Sequence, residues 1–388
     1  MRKNKDYREG YTMKNKMLRV FSVVLALTLL MLTFAGCNND PQYEPDSTTS
    51  TTEAETESST EALAKNLNPL TGRADLSDSA IGARPIAIMV ENSPEARPQW
   101  GLSTPDIVIE GVVEGGITRM MWIYADAEDI PKKVGPTRSA RHDYVEIAKG
   151  MNAIFVHWGG SNGNDFKSKG NFTLAYQAIS NLGVDNIDGM KYTGTYFFRD
   201  TTRSTSTEHR GCTSGANVIK AISKLGYSTK QTVEDWKPFN VSPEGGSIVW
   251  GDQSVTGSCS SITVTFSQGY VHTFKYDADS KKYVNYLNNK VMTDGNDGKQ
   301  MAVENVIVMY TPVSTLNTGK GHKEWNMEIT NGEGCYVSNG VGQKIYWKKD
   351  GKSGALKFYG INGQELTVNS GQTWIGVVPQ ENRATITE

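Results

Sequence analysis

Cysteine is scarce in this 388-residue chain, and the four cysteines present suggest neither a disulfide framework nor a zinc site. One of them, Cys37, lies near the N-terminus. The other three are scattered and form no CxxC pair, although a bond between Cys259 and Cys335 stays open. The sequence also lacks the GxSxG, HExxH and cysteine–histidine nucleophile patterns. These absences disfavour serine hydrolases, zinc peptidases and cysteine-type transpeptidases.

The net charge is small as well, because the chain has 40 Lys and Arg residues and 42 Asp and Glu residues. The segment from 38 to 68 holds seven acids and only one base, Lys65, so the chain that follows is close to neutral. A neutral body offers no basic face for nucleic acid or for anionic lipid. We therefore expect no nucleic-acid partner, and we expect the acidic segment to keep the body away from an anionic envelope.

One long apolar run occurs, from Val20 to Ala35, and seven basic residues precede it, as in an export signal. The run closes on Phe34-Ala35-Gly36-Cys37, which resembles a bacterial lipobox in which the cysteine is acylated. An uncleaved membrane helix is the alternative, but the run is short for spanning a bilayer. The sequence predicts a signal peptide over 1–36, lipid attachment at Cys37, and a location on the extracytoplasmic face of the cell membrane.

Composition divides the remaining chain into three parts. The segment 37–68 is rich in Asp, Glu, Ser and Thr and has little to bury, so we expect a disordered tether. Residues 69–240 alternate apolar runs with helical patterns and predict an α/β domain, a central mixed sheet flanked by helices. Residues 245–388 alternate at period two between Asn-Gly and Asp-Gly turns, and predict an all-β domain, a sandwich or open barrel. We expect each domain to have its own core and to need no cofactor.

The segment Gly135–Asp143, GPTRSARHD, is the strongest candidate for a functional site. Ser139 is a possible N-cap of a helix that ends at Gly150. Arg138 and Arg141 would then lie beside free backbone N–H groups and the positive end of the helix dipole, which favours an anion site. Two surface arginines paired to acids are the simpler interpretation.

Carboxylates recur along the predicted strand DIVIEGVVE, where Asp106, Glu110 and Glu114 share one face at period two. Buried carboxylates need partners, so these three either face water or meet cations. Arg119 on the next strand could bind one of them, and Arg138 or Arg141 another. The same acids could alternatively act as acid–base groups or metal ligands. Arg97, in the polar segment before this strand, is a further candidate for anion binding.

Two later segments could form the rim of such a site. His157 ends the apolar strand NAIFVHW and precedes a glycine-rich loop, which is where α/β sheets place ligand crevices. A second polar cluster follows the apolar YFF and contains four candidates: Arg199, Asp200, Arg203 and His209. We expect it to converge on the first cluster, with locally paired surface charges as the alternative.

Several segments, in order along the chain, resemble the YerB-type lipoproteins. These are NPLTGR, RPIAIMVEN, ARPQWGLSTPDIVIEGVVEGGITR, VGPTRSAR, FVHWGGS and FFRDTTR in the first half, and YWKKDG, LKFYGINGQEL and SGQTWIGVVP in the second. The resemblance implies a lipid-anchored envelope protein with two domains and no assigned biochemical activity. The family often has an Ala-Pro-His-Asn run where this chain has Ser206-Thr207-Glu208-His209.

Two functions remain open at this point. In the first, the protein is an envelope accessory whose arginines bind an anionic wall polymer or a wall-processing protein. In the second, it is a phosphotransferase or hydrolase, with the arginines holding a phosphate or carboxylate and Asp106 or Glu110 acting as base or metal ligand. The order of strands and loops is somewhat similar to the LytR-CpsA-Psr phosphotransferases, but their arginine–acid pairing is missing after Arg138.

Overall fold

The computed structural model describes residues 66–162, 173–244, 255–328 and 332–388. The predicted signal peptide, Cys37 and the predicted tether up to residue 65 lie outside the described residues. Within these ranges, no helix is long and apolar enough to cross a membrane.

The helices of the described chain all come from its first half: α1 His142–Gly150, α2 Ala175–Leu182, α3 Gly189–Tyr192 and α4 Gly215–Leu225. The strands of this half are β1 Ile86–Glu91, β2 Ile107–Val112, β3 Thr118–Tyr124, β4 Ile154–His157, β5 Asn186–Asp188, β6 Phe198–Arg199, β7 Gly211–Cys212 and β8 Asn240–Val241. The strands of the second half are β9 Val255–Ser258, β10 Ser261–Ser267, β11 Tyr270–Asp277, β12 Lys282–Leu287, β13 Lys290–Val291, β14 Ala302–Val303, β15 Asn305–Thr311, β16 Val313–Thr315, β17 Lys323–Trp325, β18 Gly332–Ser338, β19 Val341–Lys349, β20 Leu356–Gly360, β21 Thr367–Val368, β22 Thr373–Pro379 and β23 Thr385–Thr387.

Strands from both halves form one large mixed sheet in the order β20-β19-β18-β15-β22-β2-β3-β1-β4-β5, with β9 added beside β19. The two halves meet where β22 lies parallel to β2 on one side and parallel to β15 on the other. Strands β1, β4 and β5 are parallel to one another, so their carboxyl ends lie at the same edge of the sheet.

A layer of other elements covers each face of this sheet. On one face, α1 and α2 pack with Trp325, Trp347 and other buried side chains. On the opposite face, α4 and a second sheet, β13-β12-β11-β10-β23 with β14, pack against Trp122 and Trp374. The predicted fold class is confirmed, because the first half is a mixed sheet with helices and the second half is mostly antiparallel strands.

The expectation of two separate cores is wrong. Both buried clusters contain residues from the two halves, and one sheet runs through them. Short apolar runs do not specify which strands they pair with. The change of sequence pattern near residue 240, from mixed helix and strand signals to strand signals, therefore could not reveal that β22 would insert beside β2.

The join between the halves, which we call the seam, comprises Glu110, Gly111, His272, Trp325 and Trp374. Glu110 accepts hydrogen bonds from His272 Nε2 at 3.0 Å and from Trp374 Nε1 at 3.2 Å. Trp325 lies directly over Gly111, where any Cβ atom would overlap its ring. Its indole Nε1 donates to the carbonyl of Val112 at 3.0 Å.

Local signals in the sequence account for α4 better than for α1. The Ser214 side chain caps α4 by accepting from the backbone N–H of Asn217, and Gly226 ends the helix in the left-handed conformation. Helix α1 begins at His142 with Arg141 at the N-cap, so Ser139 lies two residues too early to cap it, and its hydroxyl donates to the carbonyl of Trp158 at 3.2 Å. Gly150, the last residue of α1, is required by close packing, since a Cβ atom there would meet the backbone of Gly354.

Candidate functional site

A cleft of about 410 Å³ lies at the carboxyl ends of β1, β4 and β5. Residues 137–140 run across these ends, with a bridge from Thr137 to Val90 and another from Ala140 to Gly160. Ligands of open α/β sheets bind outside the carboxyl ends of parallel strands, so this is an expected place for a site. The cleft is lined by Thr137, Arg138, Ser139, Trp158, Gly159, Gly160, Asn162, Tyr176, Met190, Arg199 and Glu208.

Arg199 is fixed in place but not neutralised. Its guanidinium stacks on the Trp158 ring at 3.9 Å, and its Nη1 donates to the carbonyl of Thr207 at 2.7 Å. It forms no salt bridge with any carboxylate in the described ranges. Burial and the nearby charges of Arg138 and Arg210 lower its pKa. A positive charge held without a carboxylate is well suited to receive an anion.

Arg138 is only partly neutralised. Its Nε lies 3.3 Å from Glu91 Oε1, and the same oxygen lies 3.0 Å from His209 Nδ1. The other oxygen of Glu91 is buried and has no hydrogen-bond partner among the described residues, and the same is true of Thr137 Oγ1. Buried polar atoms without partners are uncommon in folded proteins, and here one belongs to a residue that lines the cleft, Thr137, and the other to the carboxylate that contacts Arg138.

Two further predicted arginines, Arg141 and Arg119, lie beside residues 137–140 and have partners within the protein. Arg141 forms a bidentate pair with Glu114, at 2.6 and 2.9 Å. Burial alone would raise the pKa of Glu114, but Arg141 and the charge of Arg119 together outweigh this effect and lower it. Arg119 is buried and donates to the carbonyl of Ser139 at 2.7 Å. Burial, reinforced by Arg141, lowers its pKa to about 9. Of the three arginines around Ser139, Arg138 alone lines the cleft.

Two of the three predicted carboxylates lie away from the arginines, which corrects the expectation of a shared acid cluster. Glu110 belongs to the seam, where it accepts from His272 and Trp374, and it points to the face opposite that of Arg119, which lies across from Gly111 in the strand register. Asp106 lies at the start of β2, where it accepts from the backbone N–H of Ala125 at 2.6 Å, and burial raises its pKa to about 7. Neither can serve as base or metal ligand for a group held by Arg138. Glu114 lies beyond the end of β2, so the strand alternation does not apply to it.

His157 is fully buried and does not lie on the rim. Its Nδ1 is 2.7 Å from the carbonyl of Gly159, and its Nε2 is 3.1 Å from Asn186 Oδ1. Both ring nitrogens are therefore occupied, and the residue acts in packing at the end of β4.

Three further candidates also lie elsewhere. Arg97 lines a different cleft, between residues 94–99 and the hairpin around Lys290. Asp200 forms an ion pair with Lys133, and Arg203 stacks on Trp100 at 3.9 Å. These contacts hold the loop after β6 and do not line the Arg138 cleft. From the second predicted cluster, Arg199 lines the cleft, and His209 contacts Glu91, the carboxylate that also contacts Arg138.

Sequence reasoning missed Glu91, Thr137, Trp158 and Tyr176. Glu91 ends β1 as His157 ends β4, so the rule that drew attention to His157 would also have found it. The described parts of the chain contain no group of three or more His, Cys, Asp and Glu side chains placed to hold a metal ion. Cys212, Cys259 and Cys335 are free and buried, so the bond left open between the last two does not form.

Comparison with known proteins places this chain in a family. Residues 70–228 match the model "Protein of unknown function (DUF3048) N-terminal domain", and residues 262–375 match the corresponding C-terminal domain. The chain is 30% identical over 313 residues to "Putative lipoprotein YerB" of Bacillus subtilis, covering 79% of this chain and 84% of the relative. The chain belongs to the YerB family.

The crystal structure of Bacillus subtilis YerB extends this result to the fold. It superposes with a TM-score of 0.67 at 28% sequence identity, covering 82% of this chain and 99% of the YerB chain. The predicted resemblance to YerB-type lipoproteins is therefore confirmed. The YerB relative carries the word lipoprotein in its name, which agrees with the lipobox resemblance at Cys37.

Proposed function

We propose that this member of the YerB family is a lipid-anchored protein of the outer face of the cell membrane, whose cleft binds a phosphate- or carboxylate-bearing ligand. A wall polymer or a wall-processing protein that presents such a group is the partner we favour. The observation that carries the proposal is Arg199, a guanidinium fixed at the cleft that has no carboxylate partner among the residues the structure describes.

The local charge balance supports an anion. Arg138, Arg199 and Arg210 lie close enough for their charges to interact, as the lowered pKa of Arg199 reflects. Glu91 is shared between Arg138 and His209, and Glu208 is largely exposed, so its effect is screened by solvent. Bringing an anion between Arg138 and Arg199 would relieve this repulsion and form charge-assisted hydrogen bonds.

Binding can be measured by calorimetric titration of the full-length chain in detergent micelles with cyclohexyl phosphate and cyclohexanecarboxylate. We expect at least one of these probes to bind, and Arg199→Gln to weaken its binding about tenfold or more, because a hydrogen bond to a charged group is lost. Arg138→Gln should have a similar effect. Binding should weaken as salt is added.

The matched control is Arg383→Gln. Arg383 is also a partly exposed arginine, but it pairs with Glu333 at 2.9 Å and lines a different surface. Affinity should be unchanged in this variant. The proposal fails if neither probe binds, or if Arg199→Gln binds as tightly as the original chain.

The lipid anchor has a test of its own. Cys37→Ala removes the acylated residue that the lipobox predicts, so we expect a folded protein that is released or stays unprocessed. Membrane fractionation with detection of the cleaved signal checks this. A variant that remains tightly membrane-bound after signal cleavage would exclude the anchor.

A further inference from the structure

A second cleft, of about 450 Å³, lies between residues 94–99 of the first half of the chain and the β12–β13 hairpin of the second half. The described residues that line it include two cations, Arg97 and Lys290, and no carboxylate. It shares no lining residue with the Arg138 cleft. Concave surfaces where two parts of a chain meet are common ligand sites, so this cleft is a candidate for one.

Neither cation of this second cleft is neutralised within the described ranges. Arg97 donates through Nε to the carbonyl of Ser93 at 3.4 Å, and its guanidinium lies 5.8 Å from the centre of the Tyr270 ring. Its two terminal nitrogens, like the ammonium group of the exposed Lys290, have no hydrogen-bond or ion-pair partner in the part of the chain that the structure describes. Glu95, the acid nearest to Arg97 in sequence, is exposed and forms no ion pair with it there. Two positive charges without a carboxylate partner attract an anion.

Hydrogen bonds hold both walls of the second cleft in place. On one wall, Gln99 donates through Nε2 to the carbonyl of Glu91 at 3.0 Å. On the hairpin, the Asn288 side chain donates to the carbonyl of Gly269 at 2.7 Å and accepts from the backbone N–H of Val271 at 3.0 Å. A preformed cleft of this kind has little ordering cost when a ligand binds.

The second cleft also offers an apolar surface. Five of its ten lining residues are apolar: Pro94, Pro98, Leu287, Val291 and Met292. A small inorganic anion held by Arg97 and Lys290 would leave this surface in contact with water. A ligand with an apolar group beside its anion would remove the surface from water, which is favourable. The lining therefore selects for an amphiphilic anion.

We propose that the second cleft is a further ligand site, which binds a phosphate or carboxylate joined to an apolar group. Arg97 and Lys290 hold the anion, and the apolar residues of the lining pack against the rest of the ligand. Free organic phosphates, free organic acids and phospholipid headgroups share this chemistry. The inference is independent of the proposed function, because it uses none of the residues that line the Arg138 cleft.

Lysine footprinting reports on this cleft alone. The full-length chain in nonionic detergent micelles is treated with acetic anhydride, and mass spectrometry measures how far a probe slows the acetylation of Lys290. Cyclohexyl phosphate is compared with inorganic phosphate, and cyclohexanecarboxylate with acetate, so the members of a pair differ in the apolar group. Lys224, an exposed lysine of α4 that lines neither cleft, is the internal control.

A second arm tests the membrane as the source of the anion. The full-length chain is placed in nanodiscs of phosphatidylcholine, with or without phosphatidylglycerol, and no soluble probe is added. Protection of Lys290 that requires phosphatidylglycerol and Arg97 assigns the site to a lipid headgroup. Protection by a soluble probe alone assigns it to a free ligand. Either result supports the inference.

We expect at least one ring-bearing probe to protect Lys290 at a concentration about tenfold or more below that of its matched partner, because its ring leaves water. Lys224 should react at an unchanged rate. Arg97→Gln should weaken the protection about tenfold or more, since a hydrogen bond to a charged group is lost, and Arg199→Gln should leave it unchanged. Arg97→Lys keeps the charge and should retain part of the protection, so it tests the site even if Arg97→Gln is unfolded.

Three results would overturn the inference. Lys290 could remain unprotected by every probe and by phosphatidylglycerol, the two members of each soluble pair could protect it equally, or protection could persist unchanged in folded Arg97→Gln. None of them affects the proposed function, whose test depends on Arg199. Calorimetric titration of the Arg97→Gln chain, in which the second cleft is disabled, measures the Arg138 cleft by itself.

Discussion

The seam and the region around Arg138 at the cleft each contain a glutamate and a histidine 3.0 Å apart, yet the surroundings of these two pairs differ. At the seam, Glu110 is fully buried and accepts from four side chains: His272, Trp374, Thr118 and Asn92. Burial alone would raise the pKa of Glu110, but His272 and the other donors outweigh this effect and lower it. At the cleft, one oxygen of Glu91 has no partner among the described residues.

The difference shows that residue types alone do not identify a functional site. A buried polar network in which every member has its partners fixes one arrangement of the core, and its members are not available to a ligand. Free acceptors and unneutralised cations that border a cleft are available. The following predictions separate the two cases, from the largest expected effect on stability to the smallest.

Glu110→Ala should lower the free energy of unfolding by about 3–5 kcal/mol, because it leaves His272 and three other buried donors without their acceptor. Urea denaturation measures the change. Glu333→Ala, which removes an exposed carboxylate paired to Arg383, is the control and should cost less than about 1 kcal/mol. A small loss in Glu110→Ala would show that the seam is not a structural network.

Gly111→Ala should lower the free energy of unfolding by about 1–3 kcal/mol, since the added methyl group would overlap the Trp325 ring and force the two halves apart. Gly269→Ala is the matched control, because no atom lies within reach of a Cβ there. Thermal unfolding of the two variants compares them. Equal stability would mean that Trp325 moves without cost.

Asp143 gives the seam a pH dependence. It lies in the first turn of α1 and accepts from the backbone N–H of Trp325 at 2.8 Å, and burial raises its pKa to about 8. The unfolded carboxyl has a pKa of about 3.9. Between these values the unfolded chain gives up the proton that the folded chain keeps, so the contribution to stability falls as pH rises from about 4 to about 8.

Other groups also titrate in this range, so the comparison is with Asp143→Asn, which cannot titrate at this position. From pH 5 to pH 8, the original chain should lose about 1 kcal/mol or more relative to this variant. Urea denaturation at a series of pH values measures the difference. Parallel stability curves would show that the Asp143 carboxyl is ionised in the folded protein.

Arg199→Gln should change the free energy of unfolding by less than about 1 kcal/mol, because its main contacts are one stacked ring and one carbonyl. Ligand affinity in the same variant should fall about tenfold or more. A large loss of stability without loss of binding would move Arg199 from the ligand site to the structural framework.

Local patterns predicted the parts of this fold that local physics decides. The apolar run that became β4 was predicted as a strand, since its pattern depends on neighbours in the chain. The cap and terminal glycine of α4 are local signals of the same kind. Arg119, Arg138 and Arg141 lie close enough for their charges to interact, because a turn and an adjacent strand carry them, but only Arg138 lines the cleft. The apolar alternation of β2 was predicted correctly, since Val108 and Ile109 face opposite buried clusters.

Long-range pairing decided the rest. Whether Glu110 faces a ligand or a core depends on His272 and Trp374, and no local pattern shows that these residues cover it. Glu91 and His209 meet although they are 118 residues apart. The sequence pattern therefore singled out Glu110 and missed Glu91, because it cannot show which carboxylate keeps a free oxygen.

The position of β22 also affects the order of folding. Trp374 on this strand contacts Glu110 on β2 across 264 residues of chain, and β22 is the strand that joins β2 to β15. Contacts so distant in sequence form slowly. When a chain emerges N-terminus first, the first half must wait for residues 373–379 with one edge of β2 unpaired, and such an edge can pair with other chains. Refolding yield should therefore fall steeply as protein concentration rises.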